Sequence, residues 1–424
     1  MQQSVISTTD PALSANADEA SFTPSCHDLL ELFLAVSDSR SDQGRDHPVA
    51  VVLALVAAAT VAGLKGYTAM NGWVADVPAD ILDGLYTRAG VRPAGRPSRS
   101  TLWRVCTDTD GDILDAVIAE WTTAQRPGNP ARAPTSTDKP KQIRLDGKTV
   151  RGAVDTDGEQ LHLLCALTGS PGPDPAAVII AQAPTDGAKT REPETARGLL
   201  ETLDLRDATV TADALHTVKA TAELIHRQGG HFVLPVKENR PALYHALDAL
   251  PWATTPIAHE STDTGHGRTT YRTIRVLPAP PGLPFPHVKQ AWLIERYVTT
   301  SNGKQSAAAQ LGIASHPAEL AGPAELAAFN RGHWAIETLH FIRDTCYRED
   351  NSRVRTRSGP RVLASLRNLA INALRLAGRT DITEATRWAN RDMTRPSPSS
   401  ASPDDVETAV GRGGNGASLV HCGL

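Results

Sequence analysis

The feature that most constrains the fold of this chain is a change of hydrophobic periodicity near residue 141. Upstream of this point, apolar residues recur at helical spacing. Downstream, three short aliphatic segments follow one another, each bounded by Gly, Pro or Asp: KQIRLDGKTV, LHLLCALTG and AAVIIAQAP. Segments of this length and composition predict β-strands, and three in succession predict an antiparallel start to a sheet.

Helices and strands alternate after these three strands. In chain order we expect a helix over 192–203, the strand ATVTADA, a helix over 217–228, the strand HFVLPVK and a helix near 241–249. The resulting order βββαβαβα predicts an α/β protein with a ribonuclease-H-like mixed sheet, whose first part we assign to residues 142–249.

Three further segments follow this predicted sheet. Residues 250–320 contain TYRTIRVL and QAWLIERYV among Pro and Gly, which indicates a β-rich insertion. Residues 321–380 supply core helices, one over about 323–344 and another over about 360–377. The remaining residues, 381–424, are low in aliphatic side chains, which predicts a mostly disordered C-terminal tail.

An all-α domain is predicted over residues 27–125, ahead of a proline-rich linker at 126–141. Within this domain, residues 48–64 carry no charge, but they are fewer than the roughly 20 that a membrane-spanning helix needs. We therefore expect a buried helix and no membrane partner. Residues 1–26 lack the basic and apolar regions of a secretory signal, and we expect a disordered acidic arm there.

Composition excludes several classes of protein. Lys plus Arg number 43 against 47 for Asp plus Glu, and a net charge of −4 lacks the basic excess of a protein whose whole surface meets nucleic acid. A polyanion site must be local, and residues 343–379, with nine Arg against three acids, are a candidate phosphate-binding face. Five scattered cysteines without a CxxC indicate neither a disulfide framework nor a zinc ribbon, and favour a reducing cytoplasm.

Three acids are candidates for a catalytic site. Asp146 and Asp213 stand at or near the carboxyl ends of predicted strands, where neighbouring strands deliver side chains to one crevice. Glu337 lies in the predicted long helix, and the three carboxylates converge if that helix packs across the sheet. Converging carboxylates favour hard divalent cations, so we expect two Mg²⁺ (or Mn²⁺) ions roughly 3.5–4 Å apart. Such a pair supports phosphodiester cleavage and strand transfer.

A second candidate site lies in RPSRSTLWRVC. Ser98 is suited to cap a short helix that carries Arg99, Trp103 and Arg104, as in the second helix of a DNA-binding helix-turn-helix. An ordinary helix hairpin explains the same pattern.

Five blocks in this order resemble one family: LDGKTVRGA, TADALH, HWAIETLHFIRD, REDNSRVRTRSGP and LRNLAINALRLAG. They resemble the H-repeat-associated (ISAs-class) insertion-sequence transposases of the DDE superfamily, over about residues 40–380. The resemblance implies a transposase that cuts and rejoins DNA at insertion-sequence ends, in the bacterial cytoplasm near the nucleoid. It implies that Asp146, Asp213 and Glu337 bind the metal ions, and that two protomers pair the transposon ends.

The resemblance and the charges together indicate the side chains that would contact DNA. They are Lys148, Lys237, His333, Arg353, Arg355 and Arg357, in addition to Arg99 and Arg104. His333 has an alternative role in orienting Glu337, and the three alternating arginines have the alternative of a solvated surface run. The sequence departs from the family at residues 238–240, where Glu-Asn-Arg replaces Gly-Asn-Gln, and at Asp344, which replaces a lysine.

Other functions remain open on the same residues. A domesticated or inactive transposase would bind DNA ends without cutting, and a nuclease would cut without joining. A third alternative is a ferritin-like di-iron bundle, because Glu223-x-x-His226 and Glu337-x-x-His340 both have the spacing of its ligands. That reading requires four long helices.

Overall fold

The structure of the chain, a computed structural model, describes residues 29–38, 40, 45–125, 141–154, 158–185, 191–265 and 267–393. The helices are α1 (Leu29–Leu34), α2 (Val49–Val61), α3 (Tyr67–Asp76), α4 (Ala79–Arg88), α5 (Arg99–Asp108), α6 (Gly111–Gln125), α7 (Glu192–Glu201), α8 (Lys219–Arg227), α9 (Pro241–Asp248), α10 (Pro323–Gly332), α11 (Trp334–Thr345), α12 (Gly359–Leu376) and α13 (Ile382–Asn390). The strands are β1 (Lys141–Val154), β2 (Gln160–Gly169), β3 (Val178–Pro184), β4 (Ala208–Ala212), β5 (His231–Val236), β6 (His259–Gly265), β7 (Arg268–Pro278), β8 (Gln290–Thr300) and β9 (Gln305–Ala314).

All these strands form one mixed sheet in the order β3-β2-β1-β4-β5-β9-β8-β7-β6. Strands β1, β4 and β5 are parallel neighbours, while β2 and β3 continue antiparallel on one side. On the other side β9 pairs antiparallel with β5, and β6 to β9 form an antiparallel ribbon. The predicted mixed α/β fold class is confirmed.

The β-rich insertion extends the main sheet, because β9 pairs directly with β5 in the register Val233↔Ala314. The sequence identified β7 and β8 but not β6 and β9. Strand β6 reads HESTDTG and β9 reads QSAAAQLGIA, so both lack the β-branched and aromatic residues that mark a strand.

Alternation along the strands covers both faces of the sheet. Ile143 and Leu145 of β1 face a core formed with α7, α8 and α9. On the opposite face, Cys165 and Leu167 of β2 pack against α11, α12 and α13. The even-numbered residues of β1, Asp146 among them, therefore point towards α11.

Helix α2 is buried along its whole length, as expected for the uncharged segment. Among the helices of the described residues, none combines the length and apolar character that crossing a membrane requires. The core that encloses α2 contains residues of α1 to α6, and it also contains four residues of α12: Val362, Leu363, Leu366 and Leu369. Helix α12 thus packs against both the N-terminal helices and the sheet.

The helix expected over 323–344 is present but interrupted at one residue: α10 ends at Gly332 and α11 begins at Trp334, with His333 between them. Two buried side chains of β1 reach the last turn of α10. Gln142 Nε2 donates to the Phe329 carbonyl at 2.7 Å, and Arg144 Nε donates to the Gly332 carbonyl at 2.5 Å. A side chain that binds helix carbonyls in this way interrupts the helix.

The segment assigned to the C-terminal tail contains a further helix, α13. Asp381 caps it by accepting a hydrogen bond from Glu384 N at 3.0 Å, and Ile382, Ala385 and Ala389 are buried against the core. The remainder of the predicted tail (394–424), the predicted N-terminal arm (1–26) and most of the predicted linker (126–140) lie outside the described residues.

Candidate active site

Asp146 lies in β1 on the face that meets α11, with about a quarter of its side chain exposed. Its Oδ1 accepts a hydrogen bond from Gly147 N at 2.9 Å, and its Oδ2 lies 3.4 Å from His340 Nδ1. Burial acts to raise the pKa of Asp146. His340, His333 and the Gly147 N–H stabilise the anion more strongly, so the pKa lies below its ordinary value.

Asp213 follows β4 directly and caps a single 3₁₀ turn over 214–216. Its Oδ1 accepts from Leu215 N at 2.9 Å and lies 3.8 Å from His216 Nε2. The side chain is 45% exposed, so the carboxylate caps the turn and also faces solvent.

Glu337 lies in the first turn of α11. Burial and the negative charge of Asp146 raise the pKa of Glu337 above its ordinary value. The two carboxylates therefore repel each other across the gap between β1 and α11.

His333 lies near Asp146 and Asp213, and the negative charges of both act on its imidazole. Its Nδ1 lies 3.4 Å from Thr211 Oγ1, and burial lowers the pKa of His333 to about 4 although Asp146 and Asp213 both act to raise it. The imidazole is neutral at neutral pH and offers no full positive charge to a phosphate. This placement favours the positioning role for His333 over a charged contact with DNA.

A cleft of about 1990 Å³ opens beside these residues. Asp213, His333, Glu337 and the exposed Lys237 line it, together with residues of strands β6 to β9. Asp146 is not part of the lining. Asp146 was expected at or near the carboxyl end of its strand, but it lies inside β1, which continues to Val154. Strands β1 and β4 and helix α11 bring the three acids to one region, but only Asp213 and Glu337 reach the cleft.

The residues fit a divalent cation in chemistry, because carboxylate oxygens are the donors that Mg²⁺ prefers and a cation would relieve the repulsion between Asp146 and Glu337. Across the described ranges, however, no three His, Cys, Asp or Glu side chains are grouped closely enough to hold a metal ion. The close set of three carboxylates expected from the sequence is not present in this arrangement.

Lys148 is placed differently from the expectation. Its side chain is 7% exposed, and its ammonium pairs with Asp344 Oδ2 at 2.7 Å and Asp350 Oδ1 at 3.3 Å. An ammonium held by two carboxylates inside the protein is not available to a DNA phosphate, so this arrangement argues against that contact.

The arginine-rich stretch 343–379 does not form one phosphate-binding face. Buried Arg343 forms a bidentate pair with buried Glu349 at 2.8 and 2.9 Å, and Arg367 joins the same carboxylate at 2.9 Å. Arg375 is also buried and donates to the Ala177 carbonyl. These charges stabilise contacts between α11, α12 and the sheet, which a count of arginines along the sequence does not reveal.

Other predicted DNA contacts lie on the surface. Arg353, Arg355 and Arg357 are exposed. Arg355 Nε donates to the Gly152 carbonyl at 3.2 Å, and Arg357 pairs with Asp108.

Helix α5 also matches its predicted pattern. Ser98 caps it by accepting from Thr101 N at 3.3 Å, and Arg99, Trp103 and Arg104 are exposed on its surface.

Sequence reasoning missed a buried trio behind Gly147. Thr149 Oγ1 lies 2.9 Å from His162 Nδ1, and His162 Nε2 lies 2.6 Å from Glu192 Oε1. The trio lies on the face of β1 opposite Asp146, and it packs so closely that a Cβ on Gly147 would overlap Glu192 and His162. No local spacing pattern joins these residues, because they come from β1, β2 and α7.

The fold excludes the ferritin-like di-iron bundle considered from the sequence. Helices α8 and α11, which carry the two Glu-x-x-His segments, pack on opposite faces of a nine-stranded sheet. Glu223 pairs instead with His287 at 2.7 Å, and His226 stacks on the same ring.

Comparison with protein families decides the affiliation of the chain. A family described as transposase DDE domain matches residues 113–373, and a family described as DDE_Tnp_1-associated matches residues 30–122. The chain belongs to the transposase DDE domain family. The resemblance inferred from the sequence blocks is thereby confirmed.

Two curated DDE relatives come from Escherichia coli. "Putative transposase YncI" of strain O157:H7 is 25% identical over 372 residues, which cover 83% of this chain and 88% of the relative. "H repeat-associated putative transposase YhhI" of strain K12 is 25% identical over 360 residues, covering 82% and 90%. A solved structure of the piggyBac transposase synaptic complex with hairpin DNA aligns over 90% of this chain and 80% of that chain, with 11% identity and a TM-score of 0.40.

Proposed function

We propose that this protein is a transposase that cuts and rejoins DNA at insertion-sequence ends by metal-dependent phosphoryl transfer. The observation that supports this most directly is that the charge of Asp146 in β1 acts on Glu337 of α11, and that Asp146 and Asp213, which follows β4, both act on His333. Membership in the transposase family supports the same chemistry.

In this proposal the three acids hold two Mg²⁺ or Mn²⁺ ions, which would activate the attacking oxygen and stabilise the leaving oxygen. His333 is neutral and positions the start of α11 relative to β4. The order β3-β2-β1-β4-β5, with β1, β4 and β5 parallel, supports the ribonuclease-H-like topology. We retain the predicted domain boundaries as part of this proposal, with residues 27–125 as the DNA-binding helical domain.

The DNA contacts that we propose are the exposed basic side chains: Arg99, Arg104, Lys237, Arg353, Arg355 and Arg357. Lys148 is left out because two aspartates hold it. We propose that two protomers join in pairing the transposon ends, and gel filtration of the protein with end DNA tests this by its mass.

Two observations favour a second candidate, a transposase-derived protein that binds ends without cutting. The described residues contain no close set of metal ligands. Residues 238–240 depart from the family sequence, and two of them, Glu238 and Asn239, line the cleft. A nuclease that cuts without joining would use the same acids.

The deciding experiment incubates the full chain with Mg²⁺ or Mn²⁺ and DNA that carries the inverted-repeat ends flanking its gene. We expect cleavage and joined products, with loss of both in Asp146→Asn, Asp213→Asn and Glu337→Gln while end binding persists. The matched control is Asp204→Asn, an exposed acid paired with Arg206 outside the cleft. Binding without any cleavage by the wild-type protein would select the second candidate, and nicks without joined products would select the nuclease.

A further inference from the structure

The wall of the cleft formed by the inserted strands carries arginines. Arg268 and Arg272 of β7 and Arg296 of β8 all line the cleft, and we call these three residues the arginine face. They stand on one face of the ribbon, because Arg268 and Arg272 are four residues apart and Arg272 lies directly opposite Arg296 in the register.

Arg272 and Arg296 lie directly opposite each other in the register, so their positive charges repel unless an anion binds nearby. Like charges directly opposite each other on neighbouring strands destabilise a sheet. Asp263 partly compensates one of them, since it binds both Arg272 and Arg331 of α10. Among the described residues, the structure gives Arg268 and Arg296 no ion pair, and both are exposed.

The strand beside Arg296 leaves space above it. Ala308 of β9 is the cross-strand neighbour of Arg296, and Ser306 is that of Val298. Both residues are exposed and line the cleft. Short side chains beside unpaired arginines leave the guanidinium groups accessible from the cleft.

Two of the acids line the same cleft. Asp213 and Glu337 are part of its lining together with the arginine face. A phosphodiester chain that lies in this cleft would reach both the arginines and acids proposed to bind metal.

We propose that the arginine face binds the phosphates of DNA held in the cleft, with Arg268 and Arg296 as the contacts and Arg272 held by Asp263, which also pairs with Arg331 of α10. This inference rests on the proposed function, because it takes DNA as the ligand. The phosphates have two possible sources, a duplex or a single strand, and both present the same phosphodiester group.

The test measures equilibrium binding of the full chain to a labelled duplex and to a labelled single strand in EDTA, from 50 to 200 mM NaCl. The variant is a double mutant that carries both Arg268→Gln and Arg296→Gln. The control is Arg227→Gln with Lys304→Gln, which removes the same charge from exposed residues outside the cleft lining.

Each lost phosphate contact lowers the slope of log K against log[salt] by about 0.9 for duplex and about 0.7 for single strands, so the variant should lose about 1.8 or about 1.4. The control should keep the wild-type slope. If the slope falls only on the duplex or only on the single strand, that DNA is the source of the phosphates. A variant that melts like the wild type and keeps the wild-type slope on both DNAs overturns the proposal.

This test can fail or succeed independently of the proposed function, because the binding measurement does not require the protein to cut DNA. A wild-type protein that never cuts DNA would remove the transposition proposal and leave a changed salt slope standing. An unchanged slope in a variant that still cuts at low salt would overturn the arginine face alone.

Discussion

Arg144 Nε donates to the carbonyl oxygen of Gly332, the last residue of α10, and this contact helps to position the start of α11 relative to β1. The same guanidinium donates from Nη2 to the carbonyls of Ser170 at 2.5 Å and Gly172 at 3.2 Å. Burial lowers the pKa of Arg144 to about 10, which leaves it charged at neutral pH. A buried cation thus connects the strand of Asp146 to the helix of Glu337.

Replacing this cation should loosen the junction. We expect Arg144→Gln to lower the free energy of unfolding by about 3 kcal/mol, because charged hydrogen bonds to buried carbonyls are lost. Urea unfolding measures the change. Arg206→Gln, which removes an exposed pair with Asp204, is the control and should leave the free energy of unfolding close to that of the wild type. An Arg144→Gln variant as stable as wild type would contradict this role.

Gly147 should not tolerate a side chain. In Gly147→Ala the added Cβ would overlap Glu192 and His162, so we expect a loss of more than about 2 kcal/mol in stability. Gly198→Ala is the matched control, since Gly198 lies in α7 with open space at its Cβ, and it should gain about 0.5–1 kcal/mol. Thermal melting of both variants checks the prediction, and equal melting temperatures would refute it.

Lys148 and Asp344 should be coupled in stability. Lys148→Gln leaves Asp344 without its cation and Asp350 with Arg151 alone, whereas the double variant with Asp344→Asn removes part of that cost. A double-mutant cycle in urea should give a coupling of about 1 kcal/mol. The salt slope of DNA binding should not change in Lys148→Gln. A flattened slope would restore Lys148 as a phosphate contact.

Glu349 should make the protein sensitive to acid. Burial acts to raise the pKa of Glu349, but Arg343 and Arg367 outweigh it and lower the pKa to about 2 from about 4.5. Because the folded-state pKa is depressed, the stabilisation is complete above pH 4.5 and is lost as the pH falls towards 2.

Urea unfolding between pH 6 and 2.5 tests this dependence in wild type and Glu349→Gln. The variant should be less stable by about 3–5 kcal/mol near neutral pH, because two buried arginines lose their counter-charge. It should also lose less stability than wild type on acidification. Parallel pH profiles would show that Glu349 does not titrate as described.

The strands rich in β-branched and aliphatic residues, such as β1 and β7, were predictable from sequence, and so was the place of Asp213 directly after β4. Asp146 was expected near the carboxyl end of its strand, but it lies inside β1, which continues to Val154. Local composition carries this information. Strand β9 was missed because its alanines have low strand propensity, and it is held by pairing with β5 and β8.

The break at His333 and the buried state of Lys148 could not be predicted in the same way. Both depend on partners that are distant in sequence: Arg144 for the first, and Asp344 with Asp350 for the second. The burial of Arg343 could not be predicted either. Its partner Glu349 is near in sequence, but Arg343 is buried by contacts with α12 and the sheet. Charge alone does not distinguish a buried pair from a DNA contact.

The sharing of α12 between two cores has a consequence for modularity. Val362 and Leu366 complete the hydrophobic interior of the N-terminal helices, so a protease that cuts between residues 125 and 141 should leave two fragments that stay associated. A catalytic fragment made without residues 1–125 would expose that side of α12 to water and should aggregate. Exchange of the N-terminal helices between related proteins would therefore require the matching α12 surface to be transferred with them.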